Sequence, residues 1–324
     1  MAEKMSEVYG AYDMEIVQSM RGRGAIILKT DKGIYQLKTP EVNESRLTAE
    51  YNFKESLYET GFTYIDRCIK NREGELFTFD RYGNPYVMRS YFEGRECNIT
   101  SRDEIRLAVD NLAKLHGACS KIFAESEGDV HIRITSDFKK RNNELKRVWS
   151  FLQKRKGKIE FEERLLNAFP YFYDQAVCCE RKYSISEAEE VLRHLGYCHG
   201  MYDHHCLIVF DNNKMATINF DKFYVGNQLS DLYHFLRKTV EKNGYSFELA
   251  VDILEEYSSK NKLEKKDLQY IYMMYLYPEK FYKLVNQYMN SPKTRISPKM
   301  SEKLERIISE ERNKLDLLGK LNEY

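Results

Sequence analysis

The stretch LGYCHGMYDHHCLIVF, residues 195–210, decides how this chain is read. The residues before it, 136–195, carry helical patterns rich in Lys, Arg and Glu. The stretch breaks those patterns with a glycine-flanked loop and then enters a short apolar strand. A loop held between helices and a strand is where chemistry-bearing side chains gather. This one crowds Cys198, His199, Met201, Asp203, His204, His205 and Cys206 together, and MATINFDKF (215–223) follows as a second strand-like run.

Toward the N-terminus the texture changes. EIVQSM (15–20), AIILKT (25–30) and IYQLKT (34–39) are β-type runs separated by RGRG and DKG, which predicts adjacent antiparallel strands with tight turns. Leu47, Tyr51, Phe53 and Leu57 recur at helical spacing between Ser45 and Thr60, and Gly61 follows where a C-terminal cap belongs. Strand character returns in residues 75–92 around the turn Tyr82-Gly83-Asn84-Pro85, so a five-stranded sheet with one helix is expected. Ser101–Ser120 reads as an amphipathic helix with Ser101 and Glu104 in capping-box spacing. These readings divide the chain into a sheet-plus-helix lobe, 1–92, and a mainly helical lobe, 93–324. Pro278, Pro292 and Pro298 punctuate the helical tail.

Composition narrows the classes. With 324 residues, 42% apolar and 31% charged, the chain suits two domains or one bilobal fold and excludes disordered, collagen-like and coiled-coil classes. Fifty-one Lys and Arg against fifty Asp and Glu leave +1, so no overall field favours nucleic acid or an anionic membrane. The N-terminus lacks an apolar signal region, and no run of about 18 uncharged apolar residues occurs. A soluble protein made in the cytosol, with no membrane span, is expected. Seven cysteines without a repeating C-x-x-C pattern are expected to be reduced thiols.

The order of elements, together with IYQLK (34–38), AEYNFKESLYETG (49–61), YVMRSYFEGREC (86–97), LAKLHG (112–117) and INFDKF (218–223), resembles the kinase-like aminoglycoside phosphotransferase superfamily. HGMYDHHCL (199–207), TINFDKF (217–223), DLYHFLRKTVEK (231–242) and YPEKFYKLVNQYMNSPK (277–293) are more closely similar to the clostridial branch of the CotS spore coat family. The resemblance implies an α+β, bilobal, protein-kinase-like fold with a small antiparallel-sheet lobe. It also implies a component of the endospore coat, made in the mother cell and assembled onto the forespore, with other coat proteins or coat polysaccharide as partners.

Phosphoryl transfer needs a phosphate-holding Lys, a helix Glu to hold it, carboxylates for Mg²⁺ and an Asp to orient the attacking hydroxyl. The resemblance places Lys38 and Glu50 in the first two roles, as a nucleotide-binding ion pair. A solvated strand-end lysine and a solvated helical glutamate are the plain alternatives. The superfamily loop H-G-D-x-x-x-x-N stands here as His199-Gly200-Met201 through Cys206, so Met201 replaces the base and Cys206 a metal ligand. Asn219 replaces the remaining metal-binding Asp in Ile218-Asn219-Phe220-Asp221.

Asp203 and Asp221, each two positions past a lost carboxylate, are the candidate compensators, and His199 is the loop-bracing residue. A degenerate catalytic segment near 198–222 is therefore expected, with no catalytic residue, metal or cofactor, although ATP and Mg²⁺ remain open if the nucleotide site persists. The active alternative is an ATP-dependent kinase acting on a small molecule, a polysaccharide or a protein. A further alternative is a nucleotide-binding module without turnover.

Two rival constellations lose on their own chemistry. Zinc could draw on Cys198, His199, His204, His205 and Cys206, but adjacent histidines do not easily face one ion. Cys206 with His199 could suggest a thiol hydrolase, yet Cys206 opens an apolar strand and nothing marks it as activated. In the tail, Tyr272, Tyr275, Phe281 and Tyr282 read as core, or as the wall of a ligand pocket or partner surface.

Overall fold

The β-rich runs joined by tight turns form the expected strands: β1 (Ile16–Gly22), β2 (Ala25–Thr30) and β3 (Gly33–Lys38) run antiparallel. After helix α2 (Glu44–Glu59) come β4 (Cys68–Ile69), β5 (Thr78–Phe79) and β6 (Pro85–Ser90), giving a sheet ordered β1-β2-β3-β6-β4 with β5 against β6. The computed structural model describes residues 5–22, 24–125, 138–183, 194–211, 213–291 and 297–323, so Arg23 of the RGRG turn and Pro292 lie outside the described residues.

Two faces of this sheet are buried by different helices, and the register says which residue goes where. Opposed residues of an antiparallel pair share a face. Leu37 pairs with Met88, and both join Leu28, Val8 of helix α1 (Ser6–Gly10) and Tyr12 just after that helix in one apolar cluster. On the opposite face Lys38 pairs with Val87 and Gln36 with Arg89, and Val87 packs with Leu47 of α2, Cys68 and Leu76. Asn43 caps α2 by accepting from the Arg46 amide at 2.9 Å.

Contacts divide the chain into two compact units: residues 1–129 with 197–224, and residues 130–196 with 225–324. The sheet-bearing unit therefore runs past the boundary expected near residue 93. It takes in β7 (Arg95–Glu96), helix α3 (Arg102–Glu125), and the hairpin of β9 (Leu207–Phe210) with β10 (Lys214–Thr217); β7 lies beside β9 in a three-stranded sheet. At the start of α3, Glu104 accepts from the Asn98 amide at 2.9 Å and pairs with Arg95 at 2.7 Å, anchoring the preceding loop.

The other unit holds helices α4 (Phe138–Lys154), α5 (Glu160–Tyr183), α6 (Leu229–Lys242), α7 (Phe247–Ser258), α8 (Lys265–Leu276), α9 (Glu279–Asn290) and α10 (Pro298–Glu323). Short strands β8 (Leu195–Cys198) and β11 (Tyr224–Asn227) flank the loop region. Among the described residues no helix is long and apolar enough to cross a membrane.

Gly94 marks the tightest approach between β7 and β9: a Cβ there would lie 2.3 Å from the Val209 carbonyl oxygen. Gly94→Ala should cost about 3 kcal/mol or more by urea unfolding, because backbone and not a flexible side chain must yield. Gly117→Ala, within α3 where nothing lies within 4 Å of the new methyl, should instead stabilise by about 0.5–1 kcal/mol.

Candidate functional site

Glu50, two turns into α2, is fully buried beside Lys54 one turn further on. The Lys54 ammonium lies 2.6 Å from Glu50 Oε1 and 2.7 Å from Asp66 Oδ1, and donates to the Asp66 carbonyl at 2.8 Å. Arg89 of β6 closes the group, with its guanidinium 3.0 Å from Glu50 and 3.4 Å from Asp66. Two cations thus sit between two carboxylates, with Lys54, Glu50 and Asp66 fully buried and Arg89 14% exposed. Burial alone would push the Asp66 carboxyl up; Lys54 and Arg89 overcome it and hold the carboxyl below the usual range.

Asp66 also reaches the segment INFDKF, residues 218–223. Its Oδ2 accepts from the Asn219 amide at 3.1 Å, and Thr217 N donates to the Tyr64 carbonyl at 2.9 Å. Asn219 stands at φ 65°, a left-handed conformation that asparagine tolerates better than most residues. Its side chain bonds the Cys206 sulfur, and burial and then the Asp203 carboxylate push the Cys206 thiol up to about 12. Arg46 of α2 stacks on Phe223 and donates to the carbonyls of Asp221 and Phe223, while Phe223 stacks on Phe53.

The loop itself is braced by backbone contacts. His199 Nδ1 accepts from the Met201 amide at 3.3 Å, which leaves Nε2 to donate to the Ile218 carbonyl at 3.0 Å. Gly200 has φ 85°, and a Cβ there would meet the Lys222 carbonyl oxygen at 2.1 Å. Tyr202, wholly buried, donates to the Ala108 carbonyl at 2.7 Å and accepts from Asn111, whose amide also reaches Thr217 at 2.8 Å. Met201 is 38% exposed, and the Lys222 ammonium lies 3.0 Å from its sulfur.

The residues singled out from sequence divide accordingly. Met201, Cys206, Asn219, His199 and Asp203 come together around one loop. Lys38 and Glu50 do not form the expected pair: Lys38, the last residue of β3, reaches Glu41 at 3.0 Å and is 43% exposed, whereas Glu50 is held by Lys54 and Arg89. The reason is positional. Arg89 lies on the same sheet face as Lys38 and sits over Glu50, while Lys38 stands at the strand end beside the acidic residue three positions on.

Asp203 Oδ1 accepts from the His205 amide at 2.9 Å, capping the short turn His204–Cys206. Asp221 is half-buried, and its backbone carbonyl takes the Arg46 bond. Lys54, Asp66, Arg89, Asn111 and Lys222 escaped sequence reasoning. Only the Glu50–Lys54 spacing of four residues could have signalled one of them.

This donor set does not fit Mg²⁺, which demands hard oxygen ligands in octahedral array. The two positions that would supply them hold a protonated thiol and a neutral amide that bond each other. Soft ligands do not converge either. His205 pairs with Glu96 at 2.8 Å, His199 is bound to backbone, and among the described residues no group of three or more His, Cys, Asp or Glu is arranged to hold a metal. All seven cysteines are free thiols.

In the helical unit, Tyr275 and Phe281 are core residues. Phe281 stacks on Phe172 with ring centroids 4.5 Å apart, and Tyr282 donates to Glu144 at 2.6 Å. Tyr272 is half-buried.

This is the aminoglycoside phosphotransferase-like, bilobal kinase fold. An aminoglycoside phosphotransferase from Alicyclobacillus acidocaldarius superposes with a TM-score of 0.81 at 16% identity, over 97% of this chain and 94% of that one. AMP-bound spectinomycin phosphotransferase gives 0.63 at 13% identity (98% and 97%), and choline kinase LicA from Streptococcus pneumoniae gives 0.54 at 13% (97% and 97%). The chain belongs to the family described as spore coat putative kinase YutH, whose model matches residues 5–321. Among curated protein sequences none matches.

Lys54→Met leaves two buried carboxylates facing Arg89 alone, and should destabilise the protein by about 3–5 kcal/mol in denaturant unfolding. Lys38→Ala, at an exposed pair, should stay within about 1 kcal/mol. The cluster also sets an acid limit. Because the folded Asp66 carboxyl titrates below its ordinary 3.8, its contribution is fully present above that pH and is lost as pH falls through the folded value. Wild-type stability should therefore drop below pH 4 more steeply than that of Lys54→Met.

Proposed function

We propose that this protein serves the endospore coat as a kinase-shaped binding or scaffold component that transfers no phosphoryl group and needs neither ATP nor Mg²⁺. The observation that carries this reading is the trio Met201, Cys206 and Asn219 at the base and metal positions. A thioether cannot accept a hydroxyl proton, and the Cys206 thiol and the Asn219 amide offer no anion to a hard cation. In this reading Asp203, whose Oδ1 accepts from the His205 amide, caps that turn and does not serve as a substitute base.

The family description supports the coat as the site of action. Other coat proteins or coat polysaccharide are the partners this reading assigns, with synthesis in the mother cell before assembly. A kinase-shaped body with its chemistry removed still offers a shaped surface, which is all that a scaffold requires.

The test is a thermal-shift titration with ATP, with and without Mg²⁺, alongside an assay for γ-phosphate release. A nucleotide at a hundredfold its dissociation constant would add about 2.7 kcal/mol to the folded state, which is readily seen as a rise in Tm. No shift and no release are expected from the wild type, and a Met201→Asp/Cys206→Asn/Asn219→Asp variant should gain a Mg²⁺-dependent shift. Mg²⁺-dependent turnover by the wild type would refute the proposal in favour of an active kinase.

A further inference from the structure

Helix α4 and the turn after it carry nine Lys or Arg between residues 139 and 158 and one acidic residue, Glu144. The chain as a whole is balanced at +1, so this segment concentrates positive charge that is offset elsewhere in the molecule. The helix buries Phe138, Asn142, Leu145, Val148 and Leu152 in the helical unit. Lys139, Lys146, Arg147 and Lys154 recur at intervals of seven or eight residues and share the opposite, exposed side. Their stripe is about 22 Å long, and exposed Lys156 extends it past the helix end. Among the described residues none of these five cations has an ion-pair partner. The nearby acids are already engaged: Glu144 accepts from Tyr282 at 2.6 Å, and Glu160 and Glu162 pair at 3.0 Å with Arg164 and Arg155. At the start of α5 this leaves exposed Glu163 against five unpaired cations.

We propose that this stripe docks the protein on the surface of an anionic lipid bilayer. A row of unpaired cations on the outer side of a helix is complementary to a laterally extended layer of negative charge, and clusters of four to eight Lys or Arg are what such a layer holds. The choice of lipid over another polyanion rests on the apolar side chains beside the stripe. Phe151, one turn on from Arg147, is 37% exposed, and Ile159, which ends the turn after α4, is 42% exposed. A bilayer takes such tips into its headgroup boundary, whereas a soluble polyanion satisfies the cations and offers nothing to the apolar groups. The attachment is peripheral, because the apolar side of α4 is already buried in the protein and the contact is made by charge and two side-chain tips.

Flotation of the full chain with vesicles tests this directly. Binding is expected to phosphatidylcholine vesicles containing phosphatidylglycerol and not to phosphatidylcholine alone, with a loss of about tenfold or more on raising salt from about 0.1 to about 0.5 M. Lys146→Glu/Arg147→Glu/Lys154→Glu should lower binding about tenfold or more at unchanged Tm, because all three side chains are exposed and unpaired. Lys262→Glu/Lys265→Glu/Arg312→Glu makes the same change in net charge at other exposed positions of the helical unit and should leave binding within about twofold. Phe151→Ser should weaken binding to vesicles and leave binding of soluble polyglutamate as it was. A wild type that ignores anionic vesicles, equal binding to neutral ones, or an equal loss in the second triple variant overturns the proposal. Capture by polyglutamate without vesicle binding, or a Phe151→Ser variant that holds vesicles as well as the wild type, does the same and assigns the stripe to a soluble polyanion. None of these outcomes depends on whether the protein transfers phosphate.

Discussion

The sheet-bearing unit is organised around a cluster of four charges, three of them fully buried. Glu50 and Lys54 come from α2, Arg89 from β6, and Asp66 from the loop between α2 and β4, so each ion pair joins two separate elements or locks a helix turn facing the others. Such a group adds little net stability against an apolar replacement of the same shape, because its desolvation offsets the attraction. Its effect is directional. Charges inside an apolar layer tolerate no sliding, since a shift of α2 along the sheet would leave a carboxylate unpaired at a cost of several kcal/mol.

That rigidity reaches the loop through Asp66. One oxygen answers Lys54 while the other receives the Asn219 amide, so the backbone of the INFDKF segment is positioned by the same carboxylate that completes the charge cluster. Arg46 adds a second tie from α2, to the carbonyls of Asp221 and Phe223. Helix α2, which carries Glu50, therefore holds the turn that follows Asn219 through that turn's backbone carbonyls.

The strands were legible in the sequence because β-rich runs and glycine turns act locally, as in AIILKT and the DKG turn, and the loop was legible because HGMYDHHC occupies a fixed frame. The short β4 and β7 were not, since two-residue strands carry no period, whereas β5 was, as the run before the Tyr82–Pro85 turn. Lys38 misled for a physical reason: its place at the end of a strand before a helix fits a phosphate lysine. What decides its partner is which cation the neighbouring strand projects over Glu50, and that depends on register between β3 and β6. Lys54 was hidden because a lysine four residues after a glutamate ordinarily marks a solvated helix face, and only tertiary burial converts the pair into a core element. Glu104 shows the same limit, as a capping-box spacing whose carboxylate turns to Arg95 and Asn98.

The loop at 199–222 holds its shape through main-chain groups. The shape rests on Gly200, whose missing Cβ lets the Lys222 carbonyl approach, on the His199 ring bridging the Met201 amide and the Ile218 carbonyl, and on the Asn219 amide held by Asp66. Each of these contacts ends on a main-chain group. The side chains of Met201, Cys206 and Asn219 are used by none of those contacts, so the course of the loop backbone is fixed independently of them.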